Sequence, residues 1–343
     1  MTDWPLWIIY TVFVIATLVI ALGGPRLTRY AKQLADDTGM GEAVFGAVLL
    51  GGSTSLPGIV TSVYAAHQGF PQLAVSNAAG SIAVQTAFLA IADMTYRRAN
   101  LEHAAASIEN LMQSALLSTL LAIPLVAMFS PPILLFNVHP ASLLIILAYI
   151  FGIRLVSQVR ASPLWFPQKT LETREDKKTR PQDLGMRKFR SVWIGFFAWA
   201  TIVAVAGYTV ANTGIVIAEQ TGLSETIVGG LLTGIATSMP ELVTALAAVR
   251  QGALILAVSD IIGGNSFDVL FIAFADFSYR ENSIYHAISS QQAFIIALTI
   301  LLTGILMLGL LRREKRGFAN IGFESVLVII IYITGFMIVA MGS

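Results

Sequence analysis

The sequence contains no cysteine and very little charge. The absence of cysteine excludes disulfides, thiolate metal sites and thiol nucleophiles, and it argues against zinc and copper chemistry. Charged residues make up 12% of the 343 positions, whereas about 25% is usual for soluble domains. Hydrophobic residues supply 56% instead. The chain is therefore predicted to be an integral membrane protein.

Phosphate loops, nucleophile elbows and zincin motifs are also absent, so we expect neither an enzyme nor a cofactor. Apolar runs of about 20 residues, the length that spans a roughly 30 Å hydrocarbon core, recur along the whole chain. We place ten of them at 4–24, 42–66, 71–93, 106–129, 133–155, 191–218, 224–249, 254–277, 288–311 and 321–342. The predicted fold class is all-α, with ten transmembrane helices.

The distribution of basic residues predicts the orientation of these helices. If the loop after the first run is cytoplasmic, 20 of the 21 Lys and Arg residues lie on that side, and only Arg280 lies outside. We therefore expect a multi-pass protein of the plasma or inner membrane, with both termini outside. The central segment, residues 168–190, is expected to be a solvated cytoplasmic loop or, alternatively, a patch for anionic lipid or a regulatory site. Its interspersed acids argue against nucleic acid.

An internal repeat divides the chain into two halves. When the sequence is shifted by 183 residues, Glu42–Arg97 aligns without a gap on Glu225–Arg280, with 23 of 56 positions identical. Five predicted spans, an odd number, separate corresponding helices, so the two copies should be inverted in the bilayer. We expect one five-helix repeat at 1–158, a linker at 159–190 and a second repeat at 191–343. Inverted repeats are typical of secondary transporters, whose site lies near the bilayer midplane.

Each copy places a Thr-Ser-x-Pro element in the middle of an apolar run: "GSTSLPGIVTS" in the first and "GIATSMPELVTA" in the second. Proline removes a backbone donor, which frees a helical carbonyl. The hydroxyls of Thr54, Ser55, Thr237 and Ser238 add oxygen atoms at the same depth. The alternative is a structural kink in which Ser and Thr bond back to their own helix.

Carboxylates accompany the second element. Glu241 follows its proline, and Asp260 and Asp268 in "SDIIGGNSFDVL" are spaced i and i+8 on what we predict to be one helical face. A buried carboxylate in a membrane costs on the order of 3 kcal/mol, which favours a functional role. A structural ion pair is the alternative, but runs 2, 3, 7 and 8 contain no Lys or Arg in their interior. We therefore predict an oxygen-lined site for a hard cation such as Ca²⁺ or Na⁺.

These two elements, together with "NAAGSIAVQ" and "DIIGGNSFD", resemble the alpha repeats of the cation/calcium exchanger superfamily. The resemblance covers both repeats at full length. It implies an antiporter that moves Ca²⁺ against Na⁺ or H⁺, with gating by sliding of the first and sixth spans. It also implies ligands from the two Thr-Ser-x-Pro helices and their partner helices. Carried over by position, these ligands are Thr54, Ser55, Ser81, Gln85, Thr237, Ser238, Glu241 and Asp268.

The sequence departs from the family pattern at several of these positions. Gly58 replaces the first-repeat glutamate, Gln85 stands where Asn or Asp is usual, Ile82 replaces an asparagine and Gly264 replaces a serine. Asp260 stands in place of an asparagine, and we hypothesise that it restores part of the missing charge. All acids of the site would then come from the second repeat.

Such a lopsided site leaves the transported ion open. Two or three carboxylates can hold a divalent ion, but they equally suit Na⁺ or a proton. A carrier for Mg²⁺, Mn²⁺ or a monovalent ion is one alternative, and an ion-sensing protein that no longer exchanges is another. The expected partners are inorganic cations and the lipid bilayer, with no nucleic acid, and we expect a monomer. Asp93 and Asp276, which end runs 3 and 8, are expected to be caps or anchors.

Overall fold

The computed structural model describes residues 4–38, 44–96, 99–165, 167–168, 186–315, 317 and 321–342; the side chains of 35–38, 44–48 and 186–189 are not described. Residues 169–185 of the predicted central linker therefore lie outside the described residues. The regular structure within these ranges is helical, as the apolar runs predicted.

The helices overlap the predicted runs, although α1 continues to Thr38 where the first run was expected to end at residue 24. The first half contains α1 (Leu6–Thr38), α2 (Val44–Thr54), α3 (Leu56–His67), α4 (Pro71–Thr95), α5 (Leu101–Ala104), α6 (Ile108–Met128) and α7 (Pro140–Ala161). The second half contains α8 (Met186–Thr221), α9 (Glu225–Ile227), a π-helical turn (Val228–Thr233), α10 (Gly234–Thr237), α11 (Met239–Gln251), α12 (Leu254–Asp268), α13 (Leu270–Ser278), α14 (Ile284–Ala287), α15 (Ser290–Arg312) and α16 (Phe323–Met341).

Within the described ranges, eight helices are long and apolar enough to cross a membrane. A ninth is reached if Glu225–Thr237 and Met239–Gln251, which meet at a bend of 44°, form one broken span. The pair α2 and α3, which the sequence predicts as the second span, is interrupted at Ser55. The protein is thus a multi-pass helical membrane protein.

The predicted start of the fifth run at residue 133 is wrong. The helix α7 begins at Pro140, where proline is well tolerated because the first helical N–H has no partner in any case. The preceding residues form a turn instead, in which Phe136 and Asn137 have positive φ. Two prolines, Pro131 and Pro132, precede this turn and prevent the helix from starting earlier.

The helix α4 lies at the centre of the molecule. It is buried along nearly its whole length, whereas α1 and α8, which pack on each other, expose most of their surface. The reason is composition: 10 of the 25 residues of α4 are Ala, Ser or Gly, whose small side chains let other helices approach closely. Gly80 shows this best, because a Cβ atom built there would lie 2.3 Å from the carbonyl oxygen of Gly230. The site described next is built on this helix.

Candidate functional site

Two broken helices frame the site. The helix α2 ends at Ser55 (φ −87°, ψ 0°), and α10 ends at Ser238 (φ −92°, ψ 4°). Pro57 and Pro240 lie in the first turn of the helices that follow. A proline cannot donate to the carbonyl four residues earlier, so each break leaves backbone oxygen without its helical donor. In a membrane, such backbone is tolerated only where it is covered by protein or lines a polar cavity.

A chain of hydrogen bonds joins the two breaks. The Ser55 hydroxyl donates to Oδ1 of Asp268 at 2.5 Å. The Gln85 amide Nε2 donates to Oδ2 of the same carboxylate at 2.7 Å and to the Ser238 hydroxyl at 3.2 Å. All four side chains are buried. Both repeats therefore contribute to one polar cluster around Asp268.

A second set of contacts lies beside this cluster. The hydroxyls of Ser81 and Thr237 are 3.2 Å apart, and that of Ser81 also donates to the carbonyl of Gly234 at 3.4 Å. Thr237 reaches Oδ1 of Asn77 at 3.5 Å. The Asn77 amide in turn donates to the carbonyl of Gly58 at 3.3 Å. The first break is thereby linked to the second through α4.

Glu241 supplies a second carboxylate. Its side chain is 5% exposed, and it lies close enough to Asp268 for their charges to repel. No ion pair joins either acid to a basic side chain in the part of the chain that the structure describes. The pair therefore presents up to two uncompensated negative charges.

Three buried oxygen atoms at the site have no hydrogen-bond donor: Oε2 of Glu241, Oε1 of Gln85 and Oδ1 of Asn265. All three are acceptors. Buried acceptors without a donor are costly, because they have lost their water and gained nothing in return. A bound cation would satisfy them, and carboxylate, amide and hydroxyl oxygens are the ligands that hard cations prefer.

Two residues from the predicted set are not brought into this cluster. The Thr54 hydroxyl is partly exposed and donates back to the carbonyl of Gly51 at 3.0 Å, as the kink alternative expected. Asp260 is exposed. Eight residues at 100° each place Asp260 about 80° round the helix from Asp268, and of the two only Asp268 bonds to Ser55 and Gln85. No group of three acids or histidines suited to a metal occurs among the described residues, and Asp260 does not complete one.

Asn77 and Asn265 were missed by the sequence-based ligand set. Asn77 holds the position in α4 that matches Asp260, and it is fully buried between the two breaks. Asn265 precedes Asp268 by nearly one turn in "GGNSFD", and its amide donates to the hydroxyl of Thr86 at 3.3 Å. Both could have been found from the sequence as asparagines inside predicted membrane helices. A polar amide buried at the depth of the membrane requires hydrogen-bond partners.

The structure also explains the loss of the first-repeat carboxylate. A Cβ atom built on Gly58 would lie 2.4 Å from the ring of Phe271. Phe271 is 1% exposed and cannot move into solvent. In this structure its ring occupies the space that a side chain at position 58 would need, and the carboxylates of the cluster come from the second repeat.

A polar site that joins two broken helices at the centre of a helical membrane protein defines the class of secondary transporters. The chain matches the profile of the family described as "Sodium/calcium exchanger protein" over residues 8–152 and 191–341. It therefore belongs to the sodium/calcium exchanger family.

Individual relatives agree with this assignment. The chain is 25% identical to CaxA of Alkalimonas amylolytica over 312 aligned residues. The alignment covers 90% of this chain and 93% of the relative. It is 36% identical to inner membrane protein YrbG of Escherichia coli over 100 residues, which are 29% of this chain and 30% of that protein.

Solved structures share the fold. A structure of the H⁺/Ca²⁺ exchanger CAX matches 96% of this chain and 82% of its own, with a TM-score of 0.68 and 14% identity. A structure of the sodium-calcium exchanger NCX_Mj matches 97% of this chain and 99% of its own, with a TM-score of 0.58 and 15% identity.

Proposed function

We propose that the protein is a secondary active antiporter that exchanges Ca²⁺ for Na⁺ or H⁺ at the site between the two broken helices. The observation that carries this proposal is the group of three buried acceptors without donors, on Glu241, Gln85 and Asn265. One of them belongs to the carboxylate pair of Glu241 and Asp268, and Gln85 donates to Asp268 through its amide nitrogen. The pair has no basic partner among the described residues. The site is built to receive positive charge.

The charge of the pair fits an exchanger. Glu241 and Asp268 together carry at most two negative charges, which one Ca²⁺ neutralises. Two Na⁺ ions or two protons would neutralise them as well. Because both kinds of ion compete for the same carboxylates, binding of one favours release of the other. The transported ions are thus substrates at one shared site.

We place this site in a ten-span architecture. Val44–His67 would be the second span and Glu225–Gln251 the seventh, each broken at its serine, in two inverted five-helix repeats at 1–158 and 191–343 with the linker 159–190 between them. Hydrogen bonds support the duplication. Asp93 accepts from the backbone N–H of Leu101, and Asp276 accepts from that of Ile284, and both residues of the second pair lie 183 positions later.

Access to the site is proposed to come from the side of the basic loops, which we take to be the cytoplasm, with both termini outside. Asn77, in the N-terminal half of α4, is completely buried. Its counterpart Asp260 in α12 is exposed. Gly80 touches the backbone of Gly230, but a Cβ on its counterpart Gly263 would meet nothing nearer than Gln113 at 3.4 Å. One half is closed over the site and the other is more open.

A carrier for another cation is the second candidate, and Phe271 favours it. Because the ring excludes a glutamate from position 58, the site has fewer carboxylates than the family pattern implies. Fewer negative charges weaken the preference for divalent over monovalent ions. Selectivity therefore has to be measured together with exchange.

The test is ion flux into vesicles that contain the purified protein. Radioactive calcium uptake is measured with an outward Na⁺ gradient, with an outward H⁺ gradient and with neither, and Mg²⁺, Mn²⁺ and K⁺ are then added as competitors. Glu241→Gln removes one charge at the site. Glu219→Gln, which alters an exposed acid near the end of α8, serves as the matched control.

We expect uptake driven by at least one gradient, its loss in Glu241→Gln and its retention in Glu219→Gln. Strong competition by Mg²⁺ or Mn²⁺, with calcium flux remaining slow, would favour the second candidate. Absence of gradient-driven flux of any of these ions would contradict both candidates and leave the ion-sensing alternative.

A further inference from the structure

Two matching hubs hold the ends of α4 and α13. Asp93 near the end of α4 accepts from the backbone N–H groups of Leu101 (2.7 Å) and Gly322 (3.1 Å) and from the hydroxyl of Ser325 (2.9 Å). The Asp93 hub thus ties α4 to α5 and to the start of α16. As expected from the sequence, this aspartate is an anchor.

The Asp276 hub repeats this arrangement 183 residues later. Asp276 accepts from the backbone N–H groups of Ile284 (3.1 Å) and His139 (2.9 Å) and from the hydroxyl of Ser142 (2.7 Å). Next to it, the Tyr285 hydroxyl lies 2.8 Å from that of Ser142. A hydroxyl can donate and accept at once, so this hub needs no further partner.

The Asp93 hub differs at the corresponding positions, where two glutamates stand. Glu102 takes the place of Tyr285, and Glu324 takes the place of Ala141. Their side chains are 1% and 2% exposed, and their carboxyl groups lie within hydrogen-bonding range of each other. Oε2 of each has no hydrogen-bond partner. Two buried carboxyl groups thus face each other with one unpartnered oxygen apiece.

Such a contact requires a proton, because an ionised carboxylate can only accept a hydrogen bond. Two carboxylates that share a site cannot both ionise at low cost. Among the described residues, the other charged groups around the pair are Asp93 from α4, His103 from α5, Arg312 and Arg313 from the end of α15, and Glu314 and Lys315 from the loop after it.

The cations among these groups are engaged elsewhere. The Arg313 guanidinium donates to the carbonyls of Gln168 (2.6 Å) and His103 (3.3 Å), and Arg312 pairs with Glu314 at 3.5 Å. In the described part of the chain, no ion pair reaches Glu102 or Glu324. The helices α12 and α15 present mainly apolar side chains to α5, among them Leu254, Val258 and Leu310. Among the described residues, no ion pair compensates a second negative charge at these two carboxyl groups.

We propose that Glu102 and Glu324 form a proton-binding site, separate from the ion site, in which one shared proton clamps α5 and the start of α16 onto the end of α4. When the proton is lost to water, the two carboxylates repel each other and the clamp loosens. This site would therefore sense the pH on the side of the basic loops.

The direction of the response follows from the surroundings of Glu102. Burial raises the pKa of Glu102 well above its usual range, and the negative charges of Asp93 and Glu324 raise it further. A carboxyl group whose pKa is raised in the folded state stabilises that state at low pH, and this contribution is lost as the pH rises through the raised pKa. The hub should be tight in acid and loose in alkali.

The same helix connects the clamp to the ion site. Gln85, which holds Asp268, lies eight residues before Asp93 on α4, a distance of about 12 Å along the helix axis. Loosening the end of α4 would free the helix that carries the neutral half of the ion site. The proton would act as a regulator and not as an exchanged ion.

Hydrogen exchange measured by mass spectrometry tests this proposal without any transport assay. The full-length protein is exchanged from about pH 7.5 to about pH 9.5, above the usual titration range of histidine, and each rate is corrected for the intrinsic pH dependence of amide exchange. Peptides that cover 99–106 and 321–327 report on the Asp93 hub. The peptide that covers 282–288 reports on the Asp276 hub and is the internal control.

We expect protection of the Asp93 hub to fall roughly tenfold across this range, while that of the Asp276 hub stays flat. In Glu102→Gln the amide donates to Glu324 at every pH, so the fall should disappear. A flat wild-type profile, an equal fall at both hubs, or an unchanged fall in Glu102→Gln would each overturn the proposal.

A second variant covers the case in which Glu102→Gln does not fold. Glu102→Tyr combined with Glu324→Ala gives the Asp93 hub the side chains that already work in the Asp276 hub. It should fold, because the Asp276 hub folds with the same two side chains at the corresponding positions. Its protection from exchange should be independent of pH. If this variant retained the wild-type pH response, the response would belong to another group and the proposal would fail.

Discussion

The two Thr-Ser-x-Pro breaks differ although one sequence unit produced both. The second break supplies the charge: Glu241 follows its proline, and Asp268 lies on the helix that packs against the site. The first break supplies only neutral oxygens, from Ser55 and, through α4, from Gln85. A duplicated scaffold can therefore keep its geometry while one copy supplies the charge of the polar cluster and the other supplies neutral hydrogen-bond partners.

The packing around the two copies differs as well. The half of α4 around Gly80 touches the backbone of Gly230, whereas a Cβ atom on the counterpart Gly263 would meet only the side chain of Gln113. If the halves are equivalent by sequence, either packing should be available to either half. Under the proposed alternating access, the contrast between them would be one state of a cycle in which closed and open halves exchange.

Asp268→Asn should have the largest effect on this contrast. The variant removes a charge, and its amide group also confronts two donors, the Ser55 hydroxyl and the Gln85 amide. We expect cation binding to weaken at least 100-fold, about 2.7 kcal/mol. Calcium and sodium titrations of the purified protein measure this.

Ser55→Ala is the matched change on the neutral side of the same bond. It should weaken binding only about tenfold, roughly the free energy of one hydrogen bond to a charged group. Equal losses in Asp268→Asn and Ser55→Ala would show that the division between a charged and a neutral copy is not real.

Gly80→Ala should destabilise the closed half. The added methyl group would lie within 2.3 Å of the Gly230 carbonyl, and neither backbone can retreat without moving a helix. We expect a loss of about 1–3 kcal/mol of stability, as for other overpacked cores. The thermal unfolding midpoint in detergent, read by a fluorescent reporter, shows the change.

The control for this experiment is Gly263→Ala, the corresponding glycine in the open half. Its methyl group would meet only the end of the Gln113 side chain, at 3.4 Å. We expect stability to change by no more than about 0.5 kcal/mol. If both alanine variants lose the same stability, the two halves of the purified protein are not packed differently.

Gly58→Glu tests whether charge can be returned to the first copy. Alone, the substitution should reduce the yield of folded protein, because its Cβ would lie 2.4 Å from the Phe271 ring. Combined with Phe271→Ala, which removes the ring, the new carboxylate has room to face the site. A third nearby charge should then tighten divalent binding by about tenfold, after the cost of burying it.

Phe271→Ala by itself is the control, and isothermal titration with Ca²⁺ is the measurement. It should bind no more tightly than the wild type, because it adds a cavity and no charge. Unchanged affinity in a well-folded double variant would mean that position 58 does not face the ion.

The framework of the site could be predicted from sequence because its signals are local or repeated. Proline after Ser55 and Ser238 breaks a helix wherever it falls, and a shift of 183 residues pairs the two breaks without any structure. Uncompensated acids at Glu241 and Asp268 stand out in an apolar chain, and the structure brings both to one place.

The remainder depended on facts that no local pattern carries. Whether Thr54 turns to the site or back to Gly51 is decided by packing, and both outcomes fit a Thr-Ser-x-Pro element. The ring that fills the space beside Gly58 comes from a residue more than 200 positions away. Asp93 was predicted only as an anchor. The contact between Glu102 and Glu324 could not be predicted, because the two residues lie in segments far apart in the sequence.

Asp260→Asn should have the smallest effect, although the sequence favoured Asp260 as a third acid of the site. Asp260 is exposed and lies about 80° round its helix from Asp268, so we expect its charge to contribute little to the cluster. We expect cation affinity and flux to stay within about twofold of the wild type. A loss close to that of Asp268→Asn would show that α12 turns during transport and carries Asp260 into the site. Its buried counterpart Asn77 already occupies that position in α4, so such a result would mean that the open half closes by adopting the packing of the closed one.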